Sequence, residues 1–269
     1  MKLRKALDKA KIERQDAEPA VQEATPTPLA QLKVEKEQQA GWKDPVYSES
    51  KSVKLDPEIL AENHCVCILP NAPEIEAYKV LRTQIQQRTK EQGRNTVMIT
   101  SVGPKEGKTV TAINLALTFA REFNQTVLLV DGDLKKQQIH DYLGYGSNVG
   151  LGDYLLDRRS IAELVTWPGI EKLTIISGGK KVQDSTELLN SPRMRELVKE
   201  MKNRYEDRYI LFDVPHILGS ADAIAFAPLV DSILLVVESG KTSMADIRKA
   251  LDLIPRDKFL GFILNRQKT

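Results

Sequence analysis

Thr100-Ser101-Val102-Gly103-Pro104-Lys105-Glu106-Gly107-Lys108-Thr109 is the stretch on which the reading of this chain turns. It follows the apolar run Thr96–Thr100 and opens a segment that is apolar on nearly every side (Val110, Ile113, Leu115, Leu117, Phe119, Phe123). A short strand, a glycine-bearing loop and a buried helix together are the context of a phosphate-binding loop. Backbone N–H groups and a helix N-terminus form an anion nest there. Gly107 allows close backbone approach, Lys108 supplies a point charge, and the Thr109 hydroxyl is a ligand for Mg²⁺. The whole loop, Gly103, Pro104, Lys105, Glu106, Gly107, Lys108, Thr109 and Val110, is the candidate nucleotide cradle. One position departs from the strict pattern, which has glycine where Val102 stands.

Working outward, strands are expected at Thr126–Val130, Leu173–Ser177, Tyr209–Phe212, Ser232–Val237 and Phe259–Leu264. Helices are expected at 74–91, 107–123, 137–143, 192–205 and 243–254, with two short ones within 150–165. The strands are continuous apolar runs, so both faces of the sheet are covered. This alternation gives a doubly wound α/β fold, a mostly parallel sheet with helices on both faces.

Two more strand ends carry acids. Val127-Leu128-Leu129-Val130 runs into Asp131-Gly132-Asp133, and Tyr209-Ile210-Leu211-Phe212 runs into Asp213-Val214-Pro215. Ligands of open α/β sheets bind outside the carboxyl ends of the strands, which makes Asp131, Asp133 and Asp213, with Lys108, the candidate catalytic set. Asp213 is placed to hold Mg²⁺. Thr109, Asp131 and Asp213 are the candidate metal ligands, with ATP as the nucleotide. Asn265, ending the last strand, either reads a base edge or caps the strand. His64, His140 and His216 show no metal-ligand spacing and read as packed or solvated.

Composition sets the limits. Seven of the 13 prolines precede residue 74, all six phenylalanines follow residue 118, and only Gly41 precedes Gly93. Residues 1–67 therefore read as a leader, a basic amphipathic helix followed by a disordered linker, ahead of a folded domain over 68–269. The balance of 39 bases against 37 acids, net +2, excludes binding to nucleic acid by bulk charge. No apolar run approaches the ~18–20 residues of a membrane span. Cys65 and Cys67, one residue apart, read as reduced thiols.

Together these motifs resemble the deviant-Walker ATPases, and among them the bacterial protein-tyrosine kinases of exopolysaccharide and capsule synthesis. Gly103 stands where partition ATPases carry a signature lysine. Glu76-x-x-Lys79-x-x-Arg82 is similar to the oligomerisation motif of these kinases. The resemblance implies an ATP-dependent tyrosine kinase in which Asp131 helps activate the tyrosine hydroxyl and Asp133 supports the metal shell. It also implies a homo-oligomer formed through Glu76, Lys79 and Arg82, a membrane polysaccharide co-polymerase of the chain-length determinant type as activator, and a cytoplasmic place at the inner face of the plasma membrane. Lys79 and Lys135 stand where the family has arginine. These kinases usually end in a tyrosine cluster, whereas this sequence has no tyrosine after Tyr209. That leaves an ATP-switched interaction protein of the export complex as the alternative, and makes Tyr47 the expected self-phosphorylated residue.

Overall fold

The computed structural model describes residues 51–267, apart from 70, 158 and 206. The expected N-terminal helix and most of the expected linker, including Tyr47, lie outside the described residues. In chain order the elements are β1 (Lys51–Ser52), α1 (Pro57–Glu62), α2 (Ile75–Thr89), β2 (Thr96–Ser101), α3 (Lys108–Phe119), β3 (Thr126–Asp131), α4 (Ile139–Leu143), α5 (Leu151–Asp157), α6 (Ile161–Leu164), β4 (Val165–Trp167), β5 (Leu173–Ile176), α7 (Ser185–Leu189), α8 (Pro192–Arg204), β6 (Arg208–Asp213), α9 (Ala221–Phe226), β7 (Ser232–Glu238), α10 (Met244–Asp252) and β8 (Phe259–Asn265).

The strands form one eight-stranded sheet in the order β1-β4-β5-β3-β6-β2-β7-β8. From β5 to β8 all pairings are parallel, whereas β4 runs antiparallel to β5 and β1 runs with β4. Strand alternation splits the apolar residues between two cores. Val97, Ile99, Val127 and Leu129 point to the side covered by α1 to α4, and Met98, Leu128, Val130 and Phe212 to the side covered by α7 to α10. Both faces are covered, as expected. The carboxyl ends of β3, β6 and β2 lie side by side, with Asp131, Asp213 and Ile99 in register.

Two expectations need correction. Residues 51–67, read from sequence as part of the leader, belong to the folded body. β1 adds to the sheet edge, Leu55 and Leu60 are buried beside Cys65 and Cys67, and Asp56 caps α1 by accepting the Glu58 N–H at 2.9 Å. Two leucines in a lysine- and glutamate-rich setting carry no periodic signal, although Asp56-Pro57 is a legible helix start. The second concerns α3, which ends at Phe119 and leaves Phe123 61 % exposed on the turn beyond.

The segment carrying the two thiols is thus part of the core. Burial, reinforced by the neighbouring Cys67 sulfur, pushes Cys65 up to about 12, and burial pushes Cys67 up to about 11. Both stay protonated at neutral pH and are poor nucleophiles. Leu60→Ala is expected to cost about 2–5 kcal/mol. Urea unfolding of the full chain measures it, and an unchanged midpoint would place residues 51–67 outside the cooperative unit.

Candidate active site

The P-loop is braced from three directions. Within it, the Ser101 hydroxyl donates to the Gly103 carbonyl at 2.7 Å, and the Gly103 N–H donates to Glu106 Oε2 at 3.0 Å. Glu106 is nearly buried, and its Oε1 accepts the Thr242 hydroxyl at 2.6 Å, tying the loop to the turn after β7. From β8, Asn265 Nδ2 donates to the Glu106 carbonyl at 2.8 Å. Gly107 has φ +92°, and a Cβ there would lie 2.1 Å from Asn265 Nδ2. An L side chain is strained at that φ, and its Cβ would push aside the Asn265 amide that braces the loop.

At the mouth sits an ammonium among carboxylates. Lys108 Nζ donates to Asp213 Oδ1 at 3.0 Å and lies 3.5 Å from Asp133 Oδ2. Thr109 Oγ1 donates to Asp213 Oδ2 at 2.7 Å. Asp131 is fully buried beside Asp213, its two oxygens accepting the Asp133 and Ile139 N–H groups, both at 3.1 Å. The Gly132 N–H donates to the Asp213 carbonyl at 2.8 Å, closing β3 onto β6. Burial pushes Asp131 above the usual carboxylate range, and the charge of Asp213 adds to this. Burial also raises Asp213, restrained by the Lys108 charge and the Thr109 hydroxyl. For Lys108, burial favours the neutral amine, but Asp213 and then Asp133 hold its pKa above the ordinary lysine value.

The structure therefore brings Lys108, Thr109, Asp131, Asp133 and Asp213 together. It treats other expected residues differently. The Lys108 side chain is only 13 % exposed and is folded onto the carboxylates. Asn265 spends its amide on Glu106 and on the Arg266 N–H, so it serves the loop and caps the strand. Arg82 does not share an open face with Lys79. It donates to the Thr118 carbonyl at 2.9 Å and pairs with Glu122, so it belongs to the α2–α3 contact. Lys79 pairs with Glu76 at 2.6 Å on the surface.

His216, expected to be packed or solvated, is half-buried. Burial first, then the charges of Lys136 and Lys108, hold its pKa below the ordinary histidine value, which puts it within electrostatic reach of the site. Sequence reading missed Thr242, because a partner 136 positions away from Glu106 leaves no local signal. The triplet Gly240-Lys241-Thr242 repeats the loop's Gly-Lys-Thr, yet it starts no phosphate nest, and Lys241 pairs with Glu238.

Could these residues hold Mg²⁺? One ammonium faces three aspartates, so the cluster keeps an anionic surplus. Among the described residues, no three His, Cys, Asp or Glu side chains form a metal cage of their own. That donor set suits an ion that takes one or two protein oxygens and completes its shell with phosphate and water.

Residues 98–258 match the family model described as an AAA domain. The chain is 35% identical over 201 residues to tyrosine-protein kinase YwqD of Bacillus subtilis, covering 74% of this chain and 84% of that protein. It covers only 24% of the longer EpsB proteins of Ralstonia that it also matches. Among solved structures, the VpsO kinase domain superposes with a TM-score of 0.64 at 31% identity, over 72% of this chain and 96% of that one. The septum site-determining protein MinD of Pyrococcus horikoshii, complexed with Mg-ADP, superposes with a TM-score of 0.53 at 25% identity, over 64% and 70%.

Unlatching the loop should weaken nucleotide binding without unfolding the protein. Asn265→Ala removes one neutral hydrogen bond to Glu106, so a loss of about three- to tenfold in ATP affinity is expected. Titration calorimetry reads it, with thermal melting as the control for folding.

Proposed function

The chain belongs to the bacterial protein-tyrosine kinases, and on that premise we propose that it transfers the γ-phosphate of ATP to tyrosine within a machinery that polymerises and exports exopolysaccharide or capsule. The observation that carries the site assignment is the buried Lys108–Asp213 pair at the mouth of the P-loop, 3.0 Å apart, with Asp133 and the Thr109 hydroxyl around it. Catalysis of phosphoryl transfer is mainly positioning and electrostatics.

In this reading the α3 N-terminus and the loop N–H groups orient the phosphates. Lys108, released from Asp213, neutralises charge on the transferred group. Thr109 and Asp213 would hold Mg²⁺, which when bound supplies charge neutralisation between the phosphates. Asp133 supports that shell. Asp131, with its raised pKa, is the base for the phenolic proton, since a base works best when its pKa lies near the working pH. Its two backbone hydrogen bonds fix its orientation.

The same reading places the kinase beside a membrane-embedded co-polymerase. Among the described residues no helix is long and apolar enough to cross a membrane. A homo-oligomer would use the exposed Glu76 and the half-buried Lys79, while Arg82 shapes the helix from within. Lys79→Glu is expected to lower the sedimentation coefficient at constant melting temperature. Arg82→Glu is expected to lower the melting temperature as well, because it removes the partner of Glu122 and of the Thr118 carbonyl.

Lys108→Met tests the site. Phosphotyrosine formation is expected to fall to background in a blot after incubation with Mg·ATP. The variant also leaves Asp213 and Asp133 without their cation, a loss of about 3–5 kcal/mol at neutral pH. Lys108 restrains the Asp213 pKa, so its removal lifts that carboxyl further. A carboxyl whose folded pKa exceeds its unfolded one stabilises the fold below the unfolded value, and that contribution drains away as pH rises through the folded one. The stability gap to the wild type is therefore expected to be larger at about pH 8 than at about pH 5. A variant that forms phosphotyrosine at the wild-type rate would overturn the assignment.

A further inference from the structure

We propose that the acceptor tyrosine of this kinase lies in an acidic stretch of polypeptide, and that lysines over the carboxyl ends of β3 and β5 hold that stretch beside Asp131. This rests on the kinase reading above and names its substrate class.

Two loops leave the sheet together there. β3 and β5 are parallel neighbours with Val130 opposite Ile176, so Asp131 and Ser177 start the loops side by side. The first loop carries Lys135 and Lys136, the second Lys180 and Lys181. All four are exposed. From Leu134 to Gln138, and from Ser177 to Gln183, the sequence has no acid. Among the described residues, no carboxylate pairs with Lys136, Lys180 or Lys181. The next acid along the second loop, Asp184, is exposed at the start of α7.

The backbones beneath these lysines are braced. The Val182 N–H donates to the Leu134 carbonyl at 3.1 Å, which joins the two loops. Buried Gln137 donates to the same carbonyl at 3.1 Å. It packs so closely on Gly178 that a Cβ there would lie 2.4 Å from its Cγ. The buried Asp153 carboxylate accepts the Gly150 and Lys180 N–H groups at 2.9 Å and 3.0 Å. Lys135 is held at its far end too. Its Nζ lies 3.5 Å from Oδ2 of fully buried Asp222, whose oxygens accept the Ser185 hydroxyl at 2.7 Å and the Thr186 hydroxyl. Charges planted on braced loops lose less freedom on binding than charges on loose ones.

Position assigns these charges to the acceptor rather than to the nucleotide. The P-loop follows β2, and the order β5-β3-β6-β2 puts three strand spacings, about 14 Å, between β2 and β5. Phosphates seated on the α3 N-terminus meet Lys108. Lys180 and Lys181 stand farther across the sheet, beyond Asp131 at the end of β3. The nucleotide takes the β2 side of the site, which leaves the β5 side for the chain whose hydroxyl must reach Asp131. Lys136 faces the same site, since after burial its charge is what most lowers the His216 pKa. Cations so placed attract carboxylates flanking the tyrosine and repel basic segments.

Two peptides decide it, one with a tyrosine flanked by glutamates and one with glutamine in each of those positions. The full chain is given Mg·ATP with each, and initial rates are measured against peptide and salt concentration. The glutamate peptide is expected to show a kcat/KM about tenfold higher, an advantage that shrinks as salt rises. Lys180→Gln combined with Lys181→Gln is expected to raise KM for the glutamate peptide about three- to tenfold with kcat kept. Lys136→Gln, on the other loop, is expected to move KM in the same direction. Fluorescence anisotropy of the glutamate peptide with phenylalanine for tyrosine reads binding apart from chemistry. Equal kcat/KM for the two peptides would overturn the acidic preference and leave the kinase standing. A KM for ATP that rises in step with the peptide KM would assign the lysines to the nucleotide and overturn the proposal. So would flat anisotropy with both peptides beside binding to phosphatidylserine vesicles that the lysine variants lose, because the surface would then belong to a membrane. Tighter binding of the glutamate peptide, with no label on any tyrosine, would support the surface and overturn the kinase reading beneath it.

Discussion

Everything in the site is arranged around one buried ammonium. Lys108 Nζ sits 3.0 Å from one oxygen of Asp213, and the Thr109 hydroxyl occupies the other at 2.7 Å. A carboxylate as buried as Asp213 would protonate without these partners. A lysine as enclosed as Lys108 would lose its proton without Asp213 and Asp133. Each group favours the other's charged form, and the contact joins the loop after β2 to the end of β6. Asp131, next in register on β3, adds a second acid whose charge is costly at that depth. Strand order β3-β6-β2 is what makes this possible, because it sets the three strand ends side by side.

Around that pair the loop is held by hydrogen bonds among its own residues and from two neighbouring elements. Glu106 bridges the Gly103 N–H and the Thr242 hydroxyl, and Asn265 holds the Glu106 carbonyl. The three contacts tie the loop to itself, to the turn after β7 and to the end of β8. A nest of backbone donors binds an anion well only when those donors are already aimed, since ordering them afterwards costs conformational entropy. The same logic explains Arg82, whose charge joins α2 to the end of α3, the helix that carries the nest.

Much of this could be read from local pattern. The strand–loop–helix context of residues 96–119, the acids after two apolar strands and the covered sheet all follow from periodicity and from where apolar runs stop. Lys108, Thr109, Asp131, Asp133 and Asp213 were all legible as candidates, because each sits at a strand end or helix start that its own neighbours announce. The start of the folded body was not. Leu55 and Leu60 are two apolar side chains in a polar stretch, and only the sheet edge and α4 give them something to pack against.

By itself, then, the sequence determined the element types, the parallel covered sheet and the identity of the site's charged groups, since these depend on interactions within a few residues. Tertiary structure decided which way the side chains were spent. It turned Lys108 inward, gave Asn265 and Glu106 to the loop, and set β1 beside β4 against the direction of the other strands. Each of these depends on a partner dozens of residues away. A hydrogen bond between Thr242 and Glu106 has no local signature, because it exists only when β7 closes against β2.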